Sequence, residues 1–374
     1  RALPSAGLFR SGGTPPFLLD ALLLDAASQV VGYWTAEFLE RDFVVFPIGL
    51  DRLEIFAAPL APPATARCRT RCDVRSDGTI RADLEIAGPD GRLLARLSGW
   101  EVKRIRLPER IYAFRLAPRD VLLSDPLPAP DPADDGVRCC RLEIDDRLLV
   151  ADGGIWREGL AHLALAREER EAWRALSGSE ARRGEWLVGR LAAKDAVRLF
   201  LKARHGLAVY PADVVIQSEG PGRPVAAGPW VETIGQAPAL SLSHSNGLAV
   251  AIAGQGRARG GVGIDVERLR RTAPGFEDLA FTAGERDLLH ALAQGDRDEW
   301  TLRLWCAKEA AAKALGSGLR GDPRRFEARA IDAGRGTVHL DVAGVTAGDL
   351  PGLAGSTLTA WTGRDGDVIV ATAL

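Results

Sequence analysis

Gly261-Val262-Gly263-Ile264-Asp265-Val266-Glu267 opens, and Trp305-Cys306-Ala307-Lys308-Glu309-Ala310-Ala311-Ala312-Lys313 closes, the stretch around which the rest of the chain is organised. In an extended segment side chains alternate between faces, so Asp265 and Glu267 point one way while Val266 turns into the core. Two carboxylates on one face suit a hard cation. The closing run is rich in Ala and long side chains and predicts a helix, on which Trp305, Glu309 and Lys313 share a face at i, i+4 and i+8. A third carboxylate thus arrives flanked by Lys308 and Lys313. Carboxylates with open positions hold Mg²⁺, which takes oxygen ligands and shares its shell with water and substrate phosphates. The two lysines would hold what the metal does not neutralise. Taken singly, each half is ordinary: Asp-x-Glu after a strand is usually a solvated strand end, and a Lys-Glu pair on a helix contributes about 0.2–0.5 kcal/mol at the surface.

Together and in this order, the residues resemble the signature of the Sfp-type 4'-phosphopantetheinyl transferases, Gly-(Ile/Val)-Asp-x-Glu followed by (Trp/Phe)-x-x-Lys-Glu-(Ala/Ser)-x-x-Lys. Every fixed position is filled. Three earlier stretches fall in the order expected of the same family: Gly189-Arg190-Leu191-Ala192-Ala193-Lys194-Asp195-Ala196, Gly222-Arg223-Pro224, and Leu240-Ser241-Leu242-Ser243-His244-Ser245. The resemblance implies that Arg190, Lys194 and Arg223 line the nucleotide end of coenzyme A and that Ser243 and His244 meet its phosphates, with Lys308 and Lys313 on the pyrophosphate. It also implies Mg²⁺ on Asp265, Glu267 and Glu309, with Glu309 accepting a proton and Lys313 assisting the leaving group. The implied fold has two α+β lobes related by a pseudo-twofold, about 136–245 and 246–374, with the site between them. The implied reaction moves the 4'-phosphopantetheine arm of coenzyme A to a serine of an acyl carrier protein.

Upstream, residues 1–115 read as a separate α+β unit. A helix expected from about Phe17 to Glu40 is followed by strand-like runs at 43–48, 53–56, 66–74, 80–86 and 93–105, divided by turns such as Asp77-Gly78 and Pro89-Asp90-Gly91. One long helix wrapped by an antiparallel sheet is a hot-dog fold. The runs Pro15-Pro16-Phe17-Leu18-Leu19-Asp20, Asp25-Ala26-Ala27-Ser28-Gln29, Phe46-Pro47 and Gly99-Trp100-Glu101 resemble the second hot-dog half of a polyketide synthase dehydratase domain. That resemblance makes Asp25, with Gln29 at i+4, the candidate catalytic acid, and Asp20 a second one. Its imidazole partner is absent from this stretch, since no His precedes His162. Dehydration therefore requires a His from upstream. The alternative reading is a thioester-binding or dehydratase hot-dog module followed by a transferase-like domain of structural role.

Between the two, residues 116–135 carry Pro at alternate positions and read as an extended linker. The order of parts resembles the C-terminus of an iterative type I polyketide synthase of the enediyne kind, which makes a carrier domain of the same synthase the expected partner. At 374 residues two or three domains are expected. A formal charge of −2 gives no sign of a nucleic-acid or membrane partner, because a near-neutral surface exerts no long-range pull on a polyanion. Five cysteines without a paired spacing suggest reduced thiols, and no apolar run of about eighteen residues or leader pattern is visible, so the expected location is cytoplasmic. The chain opens on Arg1 and contains no Met, which suggests a fragment of a longer polypeptide.

Overall fold

The computed structural model describes residues 21–39, 43–57, 65–106, 108–128, 136–144, 149, 154–219, 223–245, 247–255, 261–292, 297–316, 318–319, 322–341 and 357–374. They fall into two compact units, Arg1–Tyr112 and Ala113–Leu374, the division lying within helix α2 (Glu109–Leu116). No helix among the described residues is long and apolar enough to cross a membrane.

In the first unit, helix α1 (Ala21–Phe38) packs on an antiparallel sheet in which β1 (Phe43–Gly49), β5 (Leu93–Arg106), β4 (Thr79–Ala87) and β3 (Arg67–Val74) lie side by side and β2 (Arg52–Ile55) also pairs with β5. Strand β4 alternates as a half-buried strand must: Ile80, Ala82, Leu84 and Ile86 turn inward and meet Ala27 and Val31 of α1. This is the expected hot-dog arrangement. Asp20 lies outside the described residues, as do the residues before it.

The second unit has two lobes. In the first, β10 (Ala239–Ser245), β11 (Leu248–Gly254), β7 (Val137–Glu143) and β6 (Asp125–Leu127) form one antiparallel sheet. The long helix α5 (Glu180–His205) packs on it through Leu191, Ala192, Ala193 and Ala196, all buried. Before α5 come α3 (Ile155–Ala164) and α4 (Arg167–Arg174), and after it a hairpin of β8 (Val215–Glu219) and β9 (Arg223–Ala227), then a single turn, α6 (Val231–Ile234). The second lobe repeats the plan. Its sheet runs β12 (Gly263–Arg268), β16 (Val368–Ala373), β15 (Thr357–Asp365), β14 (Thr337–Asp341), β13 (Glu327–Asp332), and α9 (Arg297–Ala314) packs on it after the short helices α7 (Phe276–Ala280) and α8 (Ala283–His290). Because β11 pairs with β7 along its whole length, the first lobe ends near 254 rather than at 245.

Part of the expected linker is folded. Strand β6 adds to the edge of β7, with Pro126 opposite Cys140; an edge strand tolerates proline because one side of it needs no N–H. Just upstream, the amides of Leu123 and Ser124 donate to Asp195 Oδ2 at 2.9 Å each, while the carbonyls of Pro118, Arg119 and Val121 accept from Arg198. Asp195 and Arg198 are themselves ion-paired at 2.7 Å and almost wholly buried. Buried charges must have partners, and the chain from 118 to 124 supplies them.

Candidate active site

Strand β12 and helix α9 touch backbone to backbone. A Cβ on Gly263 would come within 1.8 Å of the Ala310 carbonyl oxygen and 2.7 Å of the Ala314 nitrogen, so only glycine fits. The Ala-rich face of α9 allows this approach, and it brings Lys313 to the strand. Lys313 Nζ donates to Asp265 Oδ1 at 2.7 Å and to the Ile264 carbonyl at 3.1 Å.

Along the other side of β12 runs β10, whose alternate serines face it. Ser241 Oγ accepts from the Ile264 amide at 3.2 Å, Ser243 Oγ donates to Asp265 Oδ1 at 2.7 Å, and Ser245 Oγ donates to Glu267 Oε2 at 3.4 Å. Asp265 is buried; Glu267 and Glu309 are half-buried. Burial pushes the Glu267 carboxyl up, Asp265 pushes it further, and Arg270 at 3.6 Å offsets part of this. Burial likewise raises Glu309, followed by repulsion from Asp265, with Lys313 opposing and Glu267 adding. Glu309 makes no hydrogen bond or ion pair among the described residues.

The expected metal ligands thus feel one another's charge, with Lys313 offsetting Asp265 and Glu309, and Arg270 offsetting Glu267. Among the described residues no three His, Cys, Asp or Glu side chains are drawn together closely enough to hold a metal ion. Asp265 is instead engaged by Lys313 and Ser243. By donor type and by surplus negative charge in a half-buried place, the set fits Mg²⁺.

Next to the carboxylates, at the seam of the lobes, lies a cavity of about 290 Å³ lined by Trp186 and Arg190 of α5, Arg223 of β9, Leu242 and His244 of β10, and Lys313 of α9. Arg190 stacks its guanidinium over the Trp186 ring at 4.7 Å, and partial burial pushes its pKa down. His244 is exposed into this space. Of the residues expected at the nucleotide end and phosphates, the cavity therefore gathers Arg190, Arg223, His244 and Lys313.

Three others lie elsewhere. Lys194 has no exposed surface; its ammonium donates to Glu169 Oε2 at 2.6 Å, to the Pro211 carbonyl at 3.0 Å and to the Val214 carbonyl. Lys308 has none either and donates to both oxygens of Glu285 at 2.8 Å and to the Ala280 carbonyl at 3.1 Å. Neither lysine reaches the cavity, because in each the charge is spent on a buried glutamate. Ser243 serves Asp265 rather than the cavity. Trp186 went unnoticed in the sequence, although its place one turn before Arg190 marks the same helix face.

Residues 261–370 match the model of the 4'-phosphopantetheinyl transferase superfamily. This segment belongs to that superfamily. Residues 5–110 match the polyketide synthase dehydratase N-terminal domain, a description that names a different half from the one the sequence suggests. Holo-[acyl-carrier-protein] synthase from Neisseria meningitidis is 24% identical, over 32% of this chain and 94% of that one, with a TM-score of 0.25. The synthase from Thermotoga maritima is 20% identical over 37% and 78%, with a TM-score of 0.22. The dehydratase domain from the CurJ module of curacin polyketide synthase is 19% identical over 22% of this chain, with a TM-score of 0.20, and the chain spans 30% of that domain's length. No curated protein matches the chain.

In the dehydratase-like unit, Asp25 and Gln29 are exposed on α1, and Gln29 Nε2 donates to Asp25 Oδ2 at 2.9 Å. Gln29, one turn after Asp25, thus fixes one oxygen of its carboxylate.

Proposed function

We propose that this chain transfers the 4'-phosphopantetheine arm of coenzyme A to a serine of an acyl carrier protein, in the manner of a holo-acyl-carrier-protein synthase. The observation that carries the reading is Glu309, a half-buried carboxylate with a raised pKa and no partner among the described residues, near enough to Asp265, Glu267 and the cavity-lining Lys313 to feel their charges. Asp265, Glu267 and Glu309 would hold Mg²⁺, which would supply Lewis-acid neutralisation of the pyrophosphate. Glu309 accepts the proton of the attacking serine as its Oγ bonds to the β-phosphorus, and the bond from that phosphorus to the bridging oxygen breaks. Lys313 balances the charge left on the departing adenosine 3',5'-bisphosphate. Arg190, Arg223 and His244 hold its nucleotide end and phosphates, a role supported by three cationic or hydrogen-bonding side chains around one cavity.

The dehydratase match of residues 5–110 favours a polyketide synthase setting, with a carrier domain of the same cytoplasmic synthase as acceptor. We read this unit as one hot-dog half of a dehydratase, with Asp25 as its acid and a His from outside it as its base. Incubation of apo carrier protein with coenzyme A and the chain, with and without Mg²⁺, followed by intact-mass spectrometry, tests the transferase reading. The expected result is one added phosphopantetheine in the presence of Mg²⁺ and none with chelator. An unmodified carrier protein under both conditions overturns it.

A further inference from the structure

The two buried lysines set aside from the cavity occupy equivalent places. Glu169 stands in the first turn of α4, and its Oε2 accepts from the Ala166 amide at 2.9 Å. Its Oε1 accepts from the amide of Ile216, the second residue of β8, at 2.9 Å, and Lys194 of α5 completes the group. In the other lobe Glu285 stands in the first turn of α8, with its Oε2 accepting from the Thr282 amide at 2.8 Å. Its Oε1 accepts from the amide of Ala328, the second residue of β13, at 2.8 Å, and Lys308 of α9 completes the group. Even the approach to the strand is repeated, as short turns at Pro211–Asp213 and Pro323–Arg325. Each glutamate thus ties a short helix, a long helix and a strand together. Burial pushes both ammonium pKa values down, and each glutamate opposes it.

Stability alone does not explain such a pair, since replacing a buried ion pair by neutral groups of like size is often neutral or stabilising. A directional pair does fix the rotation of the helix that carries it. What each helix presents differs. One turn before Lys194, α5 presents Arg190 beside Trp186 to the cavity; directly after Lys308, α9 presents Glu309 and then Lys313 to the carboxylates. A turn of about 20° at a helix radius of about 5–6 Å moves a side chain by about 2 Å, and a misplacement of about 1 Å can lower a rate about 100-fold.

We infer that the two Lys–Glu pairs are positioning devices for opposite ends of one substrate: Lys194–Glu169 orients the nucleotide-holding face of α5, and Lys308–Glu285 orients the metal and proton-accepting face of α9. The inference rests on the transferase reading above, and the test keeps the two apart. The double variants Lys194→Met/Glu169→Gln and Lys308→Met/Glu285→Gln leave no unpaired buried charge and differ only in the lobe they alter. Melting temperature, calorimetric affinity for adenosine 3',5'-bisphosphate, kcat, and the Mg²⁺ concentration for half-maximal transfer are measured on the full chain.

The first variant is expected to weaken bisphosphate binding about tenfold with its Mg²⁺ requirement unchanged; the second is expected to lose about tenfold in kcat and need more Mg²⁺, with bisphosphate affinity kept within about twofold. Identical profiles in the two variants, or losses no larger than the drop in folded fraction, overturn the inference. Should either double variant fail to fold, the charge-conserving changes Glu169→Asp and Glu285→Asp, which keep a carboxylate for the lysine but shorten its reach, must still split in the same directions or the inference fails. A wild-type chain that transfers nothing sinks the transferase reading, while the calorimetric arm still reports on the first pair.

Discussion

Asp195 in the first lobe and Glu309 in the second each directly follow the buried lysine of their lobe, and burial raises the pKa of both. Their surroundings separate them. Asp195 receives two amides from 123 and 124 and the guanidinium of Arg198 three residues on, so its charge is fully used within the fold. Three residues beyond Glu309 stands Ala312, which offers nothing, and Lys313 turns away to Asp265. The same position on the same kind of helix is thus structural in one lobe and chemically free in the other. What decides between structure and chemistry is the unspent charge, not the residue type.

The largest effect expected from this comparison is on transfer itself. Glu309→Gln and Asp265→Asn should each lower kcat by about 100-fold or more with the melting temperature little changed. Asp195→Asn should do the reverse, lowering stability by about 3–5 kcal/mol because Arg198 is left buried against a weaker partner, while specific activity of the folded fraction persists. Steady-state kinetics paired with thermal melts reads both; a stable, active Glu309→Gln enzyme would erase the contrast between the lobes.

Gly263→Ala sharpens it from the backbone side. With no room against Ala310, the strand must leave the helix, and a loss of about 3 kcal/mol or more with loss of transfer is expected by denaturant titration. Gly189 on α5 is the mild counterpart, since a Cβ there would meet Leu242 and His244 at 3.7 and 3.8 Å, ordinary contact distances. Gly189→Ala should leave stability within about 0.5 kcal/mol and raise the KM for coenzyme A a few-fold at most.

Ser243→Ala lies between these in its effect on the metal end. Removing the hydroxyl that orients Asp265 should raise the Mg²⁺ requirement about tenfold with little change in fold, by analogy with other groups that orient metal ligands. An unchanged Mg²⁺ titration would show that Lys313 alone holds Asp265.

Much of this site was legible because the relevant spacing is local. Asp265 and Glu267 at i and i+2 and Glu309 and Lys313 at i and i+4 follow from backbone periodicity, as Asp25 with Gln29 does in the other unit. Lys194 and Lys308 were misread because their partners lie 25 and 23 residues earlier in the chain. A lysine beside a carboxylate on a helix gives no sign of whether it faces inward. A signal did exist. Ala193-Lys194-Asp195-Ala196 and Ala307-Lys308-Glu309-Ala310 are near repeats, each preceded by a glutamate in the first turn of a short helix, and two lysines in matching frames point to a shared structural duty. The spacer was misjudged for a related reason, since proline spacing describes the local backbone and says nothing of a buried Asp195 and Arg198 that need partners.

The segment from 118 to 128 changes how this polypeptide can be dissected or recombined. A cut at 136, where composition alone puts the boundary, would strip Arg198 of three carbonyl acceptors, Asp195 of two amide donors and β7 of its neighbour β6. Any transplant of the transferase into another assembly must carry these residues with it. Trypsin acting on the folded full chain should accordingly spare the bond after Arg119, whose side chain donates to the Ala208 carbonyl at 3.0 Å and whose own carbonyl is held by Arg198, so that the first stable fragment to emerge begins upstream of the proline run.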